Sequence, residues 1–307
     1  MKRFRRVFVL GAGFSKAFCP DMPVISDLSH LLFESGTGED YAELRTFARR
    51  YYRASNNSEE THDIENIATV ILTKQIFKND VEMHRYRILR HQLLKMIHQQ
   101  TRDHTMSAKK ATSLTEFVHF CRESDSLLIT FNYDLLVESC ADVSYGIVNS
   151  YQPCSPLSGH TTDYIKLHGS LNWYRAKGAE RTDINSVYRV DANDEHFSIH
   201  QSDIPVFIPM AHSKGAFLNG TLFSTLWAQA IHYLEQASQI VLIGYSFPPS
   251  DIENLYFFLN FKEKIERIVV FFKDHHDRRF ERLGYIFGRN TVLNLDAAEY
   301  VRHEYLY

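Results

Sequence analysis

The sequence lacks the marks of several protein classes. Its four cysteines form no Cys-x-x-Cys pair, so a four-cysteine zinc ribbon is excluded. No apolar run approaches the ~20 residues that a membrane span needs, and the basic N-terminus leads into a strand instead of a signal peptide. The formal net charge of -3 gives no global attraction to nucleic acid or to an anionic membrane. These absences predict a cytoplasmic protein with reduced thiols, no metal and no direct nucleic-acid or membrane partner. The cysteines are Cys19, Cys121, Cys140 and Cys154.

What is present is enough apolar sequence for a sizeable core. The chain has 307 residues, of which 44% are hydrophobic, enough for one large α/β domain or two modest ones. Helix-compatible segments separate short apolar runs, and this alternation predicts an α/β fold with a mostly parallel sheet covered by helices on both faces. We interpret residues 1–307 as a single domain. The predicted strands are 4–10, 126–131, 164–167, 205–208, 239–243, 267–272 and 291–295.

Two segments interrupt the alternation. Residues 40–122 show helical patterns and no convincing strand, which predicts a helical insertion that serves as a lid, an interface or both. Residues 174–203 are polar and irregular, and they predict a hairpin or a flexible cover.

The stretch RRVFVLGAGFSKA at residues 5–17 predicts a strand, a tight glycine turn and a helix start. Backbone N–H groups at such a turn can hold a phosphate, and glycine allows the ligand to approach the backbone closely. A strict dinucleotide fingerprint has a third glycine where this chain has Lys16. On this stretch alone, a tight turn without a ligand is an equal alternative.

The glycine turn and four later segments together support a ligand site. Polar or glycine-containing clusters follow the apolar runs at 11–15, 132–134, 168–170, 244–246 and 273–274. In open parallel sheets, ligands bind beyond the carboxyl ends of the strands. The clusters together therefore favour a nucleotide site over an empty turn.

These motifs resemble those of the SIR2-like family, and their residues are more similar to its bacterial branch than to the protein deacetylases. They read GAGFS at 11–15, TFNYD at 130–134, KLHGSLNW at 166–173 and IGYSFPPSD at 243–251. The resemblance implies a Rossmann-like NAD-binding domain with an inserted helical module. Two departures disfavour an acyl-lysine substrate: the paired-cysteine zinc module is missing, and residues 21–27, DMPVISD, lack the sirtuin Pro-Asp-Phe.

The resemblance further implies hydrolysis of NAD+, with a role in anti-phage defence through NAD+ depletion. A non-catalytic module that binds NAD+ or ADP-ribose is the alternative, and an NAD-dependent deacylase ranks last. It also implies activation by homo-oligomerisation or by a separately encoded partner, such as an ATPase or a sensor.

The candidate residues divide into two groups. For NAD+ binding, the resemblance and the strand ends favour a phosphate site at the glycine turn, a second contact at the GYS turn and a ribose contact at a strand end. The binding candidates are Gly11, Ala12, Gly13, Phe14, Ser15, Gly244, Ser246 and Asp274.

The catalytic candidates are Asn132, His168 and Asp134. We interpret Asn132 as orienting the nicotinamide ribose and water, and His168 as a general base. Asp134 either holds the loop or orients a partner. The alternatives are a helix-capping asparagine, a loop histidine and a structural aspartate.

Overall fold

The structure of the chain is a computed structural model. The structure describes residues 5–30, 33, 37–54, 64–76, 81, 84–85, 88, 112–140, 143–144, 162–175, 187–189, 204–208, 210–212, 221–248, 251–272 and 277–296.

Strands and helices alternate along the described part of the chain. The strands are β1 (Arg6–Leu10), β2 (Leu127–Thr130), β3 (Val143–Ser144), β4 (Thr162–Lys166), β5 (Gly169–Arg175), β6 (Val187–Arg189), β7 (Ile204–Phe207), β8 (Gln239–Ile243), β9 (Ile265–Val270) and β10 (Val292–Asn294). The helices are α1 (Ala12–Phe18), α2 (Ile25–His30), α3 (Glu39–Ala54), α4 (Ile64–Ile76), α5 (Thr112–Glu123), α6 (Leu136–Cys140), α7 (Thr221–Gln236), α8 (Ile252–Leu259) and α9 (Arg278–Phe287). A 3-10 turn at Lys262–Lys264 leads into β9.

Seven strands form one parallel sheet in the order β10-β9-β8-β1-β2-β4-β3. The four residues of β2 and the last four of β1 and β8 are buried. Because successive side chains of a strand point to opposite faces, both faces of the sheet centre must be covered. This confirms the α/β, Rossmann-like fold class.

The register places the carboxyl ends of the central strands side by side. Leu10 pairs with Ile243 of β8 and with Thr130 of β2, and Thr130 pairs with Lys166 of β4. The loops that follow β1, β2, β4 and β8 therefore leave the sheet along one edge.

A second sheet corrects the sequence interpretation. The polar cluster at 168–170 follows a strand, as expected, but the turn at 167–168 is short: β5 begins at Gly169 and pairs antiparallel with β6 and β7. The strand predicted at 205–208 is β7 and belongs to this small sheet. β6 lies within the segment predicted as irregular, which agrees with the hairpin alternative there.

The apolar core has two parts. The larger cluster surrounds the parallel sheet, where Phe8 of β1 packs edge-on against Phe117 of α5 at 5.4 Å between ring centroids. The smaller cluster joins α2, α3 and α4 to the loop after β2 and to β5 and β7. Of the helices predicted within 40–122, the structure describes α3, α4 and α5, and most of the pattern at 81–101 lies outside the described residues.

The structure also bears on the cysteines and on membrane-spanning helices. Cys19, Cys121 and Cys140 are free thiols, as expected, while Cys154 lies outside the described residues. None of the helices in the described ranges is long and apolar enough to cross a membrane.

Candidate functional site

The glycine turn after β1 interlocks with the turn after β8. The Gly11 N–H donates to the Ile243 carbonyl and the Gly13 N–H donates to the Gly244 carbonyl, each at 2.9 Å. A Cβ on Gly244 would lie 1.9 Å from the Phe14 nitrogen, and a Cβ on Gly11 would lie 2.5 Å from the Gly244 oxygen. These glycines therefore allow two backbone segments to touch. Close packing of the two turns therefore requires these glycines, independently of the ligand approach expected from the sequence.

The residues predicted to bind phosphate differ in accessibility. Ala12 is exposed, and Gly13, Gly244 and Ser246 are half-buried. Phe14 is buried, and its ring packs at 4.8 Å from the ring of Phe18, so its side chain belongs to the core. Gly11 and Ser15 are buried as well. The accessible part of the predicted phosphate site is therefore Ala12, Gly13, Gly244 and Ser246.

Asn132 lies directly beside the glycine turn. Its side-chain nitrogen donates to the Gly11 carbonyl at 2.9 Å and to Ser15 Oγ at 2.8 Å. Its backbone N–H donates to Thr130 Oγ1, whose hydroxyl donates to the Leu10 carbonyl. An amide NH2 has two hydrogens, so both are engaged and the amide oxygen is turned away from the glycine turn.

Ser15 and Asp134 complete a buried network behind Asn132. The Ser15 hydroxyl donates to Asp134 Oδ2 at 2.6 Å while it accepts from Asn132, and Ser15 is only 2% exposed. Its single hydroxyl proton is thus directed at a carboxylate, and not at a phosphate as the sequence interpretation expected. Asp134 Oδ1 accepts from the Leu136 N–H and caps α6. Asp134 therefore holds the loop and orients Ser15.

His168 lies where the chain turns from the parallel sheet into the small sheet. Its ring packs edge-on against Phe131 at 5.0 Å and lies 6.4 Å from the Tyr133 ring, so both neighbours of Asn132 in sequence contact it. Gly169 makes the bend possible: its φ is +84°, and a Cβ there would lie 2.4 Å from the Val206 oxygen. The structure thus brings His168 to the same loop as Asn132.

An aromatic wall connects this loop to the turn after β8. The Tyr245 ring stacks on Phe131 at 4.8 Å, with 14° between the planes. The Tyr245 hydroxyl donates to Asp251 Oδ2 and accepts from Asn254 Nδ2, each at 2.8 Å. Burial raises the pKa of Tyr245 well above its ordinary value, and the Asp251 carboxylate adds to the effect. The hydroxyl therefore stays protonated, and the sequence analysis did not identify this group.

Sequence reasoning also missed a buried ion pair beneath the loop. Lys166 Nζ lies 2.8 Å from Glu138 Oε1, with both side chains at or near zero exposure. The ammonium also donates to the carbonyls of Tyr133 and Asp134. A lysine at the end of an otherwise apolar strand, in KLHGS, is the signal that could have found it.

Lys16 forms an ion pair with Asp27 of α2. Its ammonium lies 2.5 Å from Asp27 Oδ2, and the same carboxylate oxygen accepts from the Val24 N–H. Lys16 thus ties α1 to the first turn of α2. Burial raises the pKa of the nearby Cys19 thiol to about 12, and the Asp134 charge contributes.

Asp274, with Lys273, lies outside the described residues. Within the described ranges, no group of three or more histidine, cysteine, aspartate or glutamate residues could hold a metal ion.

Comparisons with known proteins gave structural likenesses only. No family model and no curated protein sequence matches the chain. A Sir2 homologue in complex with NAD is 16% identical, with 96% of this chain and 86% of the other covered and a TM-score of 0.45. A mutant Sir2 homologue in complex with ADP-ribose is 15% identical, with 96% and 88% covered and a TM-score of 0.46. A mutant in complex with 2′-O-acetyl ADP-ribose is 13% identical, with 97% and 89% covered and a TM-score of 0.49.

Proposed function

We propose that the chain hydrolyses NAD+ to nicotinamide and ADP-ribose. The observation that carries this proposal is the anchoring of the Asn132 amide between the Gly11 carbonyl and Ser15 Oγ. Both hydrogens of the amide are engaged, so its oxygen is fixed as a neutral acceptor at the edge where the strands end. His168 lies beside the same loop, against the rings of Phe131 and Tyr133.

The dinucleotide is proposed to bind across the interlocked turns. The backbone of the exposed Ala12 and of the half-buried Gly13, with the Ser246 hydroxyl, is proposed to supply polar groups for the pyrophosphate. Ser246 is half-buried at this edge, and its hydroxyl is proposed to contact the ligand. Asp274 remains a proposed partner for the adenosine ribose.

The chemistry requires little nucleophilic power from the protein. The glycosidic bond between nicotinamide and ribose breaks with both electrons going to nicotinamide, and positive charge develops on the ribose. Water then forms the new bond to the same carbon, and His168 accepts the proton that the water loses. The Asn132 oxygen accepts from the ribose hydroxyl or the water, and an amide cannot compete with water as a nucleophile.

We propose a biological role as well. Unchecked hydrolysis would deplete cellular NAD+, and this fits an anti-phage effector controlled by self-assembly or by a separately encoded partner. The missing paired-cysteine module and the DMPVISD segment at 21–27 are the sequence features that favour NAD+ hydrolysis over deacylation.

Release of nicotinamide from NAD+ by the purified chain tests the proposed activity. We expect turnover by the natural sequence and a loss of about 100-fold or more in Asn132→Ala and His168→Ala, because each removes a group proposed to act in the transition state. ADP-ribose binding by calorimetry should persist in both variants.

Matched controls come from polar residues outside the site. Asn260→Ala at the end of α8 and His232→Ala at a half-buried position of α7 remove the same side-chain types and should leave turnover unchanged. Tight NAD+ binding without nicotinamide release, also in the presence of a co-encoded partner, would instead identify a binding module and refute the proposed hydrolase.

A further inference from the structure

Lys166 and Glu138 form an almost fully buried ion pair beneath the loop after β2. Lys166 is 0% exposed at the end of β4, and its ammonium lies 2.8 Å from Glu138 Oε1 in α6. Taking two charges out of water costs free energy that their attraction often does not recover. The pair therefore calls for an explanation beyond stability.

The explanation lies in what else the ammonium touches. An ammonium group has three N–H donors, and those of Lys166 are directed at Glu138 Oε1, at the Asp134 carbonyl and, at 3.4 Å, at the Tyr133 carbonyl. The two carbonyls are successive and belong to the loop that begins at Asn132.

The same loop is connected to Asn132 through side chains. Lys166 binds the backbone of Asp134, the Asp134 carboxylate accepts from Ser15 Oγ, and Ser15 Oγ accepts from the Asn132 amide. The Tyr133 carbonyl also accepts from the Leu171 N–H of β5 at 3.1 Å, which fixes it from the other side. A shift of the two carbonyls would therefore move the acceptor that orients Asn132.

We propose that Lys166 is a positioning residue for Asn132, held in place by Glu138, and that it sets the turnover rate of the site without contacting the substrate. This inference rests on the proposed NAD+ hydrolysis. A lysine that serves only the fold would lower stability, whereas a positioning lysine lowers kcat in molecules that remain folded.

The experiment uses two variants because the simpler one can fail to fold. Lys166→Met leaves the Glu138 carboxylate buried without its ammonium partner. The double variant Lys166→Met with Glu138→Gln removes both charges, so the remaining burial cost is that of neutral groups. The matched control is Lys264→Met, since the Lys264 ammonium also donates to two successive carbonyls, those of Leu234 and Glu235, at the end of α7.

For the double variant we expect kcat to fall about 10- to 100-fold, as a small misplacement of a catalytic group does. KM for NAD+ should stay within about threefold, because ground-state binding is not involved. Lys264→Met should change neither value. A folded double variant with natural kcat, or one whose kcat and KM change as they do in Lys264→Met, overturns the proposal.

A second readout does not depend on activity. The side-chain amide signals of Asn132 in a nitrogen–proton NMR spectrum can be assigned by their loss in Asn132→Asp. We expect them to shift or broaden in the double variant and to stay in place in Lys264→Met; unchanged signals in the double variant refute the positioning role. If the natural sequence does not release nicotinamide, the proposed function fails, while these signals still decide the role of Lys166.

Discussion

Gly244 has less room for a side chain than any other described glycine. Its φ of +68° lies in the left-handed region, and a Cβ would meet the Phe14 nitrogen at 1.9 Å and the Gly13 carbonyl carbon at 2.5 Å. Its carbonyl also accepts from the Gly13 N–H. The residue thus fixes how closely the two turns approach, and with them the spacing between Ser246 and the start of α1.

Gly244→Ala should therefore lower stability by more than backbone strain alone. We expect a loss of about 1–3 kcal/mol from the positive φ and a further loss because backbone atoms of α1 must move. Gly38→Ala is the matched control, since Gly38 has a φ of +109° but open space around it. Denaturant unfolding of both variants measures the difference. Equal losses of unfolding free energy would contradict close packing of the two turns at Gly244.

Cys19 should resist alkylation in the native protein. Burial raises its pKa to about 12, so at pH 8 only about one thiol in ten thousand is the reactive thiolate. We expect negligible labelling of the Cys19 peptide by iodoacetamide between pH 7 and 9, and full labelling after denaturation, both measured by mass spectrometry. Rapid native labelling would show that the thiol is neither buried nor protonated.

At the scale of elements, α9 begins with a complete N-cap. The Asp277 side chain accepts from the Arg279 N–H at 2.8 Å and also pairs with the Arg279 guanidinium at 2.6 Å. The side-chain hydrogen bond from Arg279 lowers the pKa of Asp277 below its ordinary value of 3.8, and the backbone hydrogen bond contributes. The charged form of Asp277 is therefore favoured in the folded state.

Asp277→Ala should lower stability by about 0.5–2 kcal/mol through loss of the cap, whereas Asp277→Asn keeps a capping oxygen and should lose less. Because the folded-state pKa is lowered, the charge-dependent part is fully present above the ordinary pKa and is lost as pH falls through the folded value. Unfolding curves for both variants at pH 7 and toward pH 3 measure this. An alanine variant that stays weaker than the natural chain by the same amount at every pH would contradict the charged cap.

The sequence predicts a strand or helix well where the residues of that element alone determine it, and poorly where partners far along the chain do. Each of the seven predicted apolar runs overlaps a strand, and the central strands of the parallel sheet were the most predictable because burial on both faces requires uninterrupted apolar sequence. β5 was missed because HGSLNW mixes polar and apolar residues, and its partners β6 and β7 follow later in the chain.

In the candidate site too, contacts between residues far apart in sequence could not be predicted. Asn132 and His168 were proposed from motifs, but the bond from Ser15 to Asp134 joins residues 119 positions apart, and the Lys166 pair joins β4 to α6. Contacts of this kind depend on strand order and register, which local pattern does not determine. The packing of Gly11 and Gly13 against Gly244 was missed for the same reason, because the turn after β8 is far from β1 in sequence.

At the scale of the whole molecule, the site lies between the two apolar clusters. Phe131 belongs to the larger cluster around the sheet, and Tyr133 and Leu135 belong to the smaller cluster formed with α2, α3 and α4. Between them, Asn132 and Asp134 point to the glycine turn. The Tyr133 hydroxyl further donates to the Ile208 carbonyl at 2.5 Å. The inserted helices thus support the loop that carries Asn132.

Weakening the smaller cluster should therefore reduce turnover as well as stability. Leu44→Ala in α3 and Leu234→Ala in α7 remove the same side chain from fully buried helix positions, one in each cluster. Each should cost about 2–5 kcal/mol of unfolding free energy. Only Leu44→Ala should also lower nicotinamide release per folded molecule, since Leu44 shares its cluster with Tyr133 and Leu135. Denaturant unfolding and the nicotinamide assay, run well below the unfolding transition, measure the two effects. Equal turnover in the two variants would mean that the loop takes its geometry from the parallel sheet and from Lys166 alone.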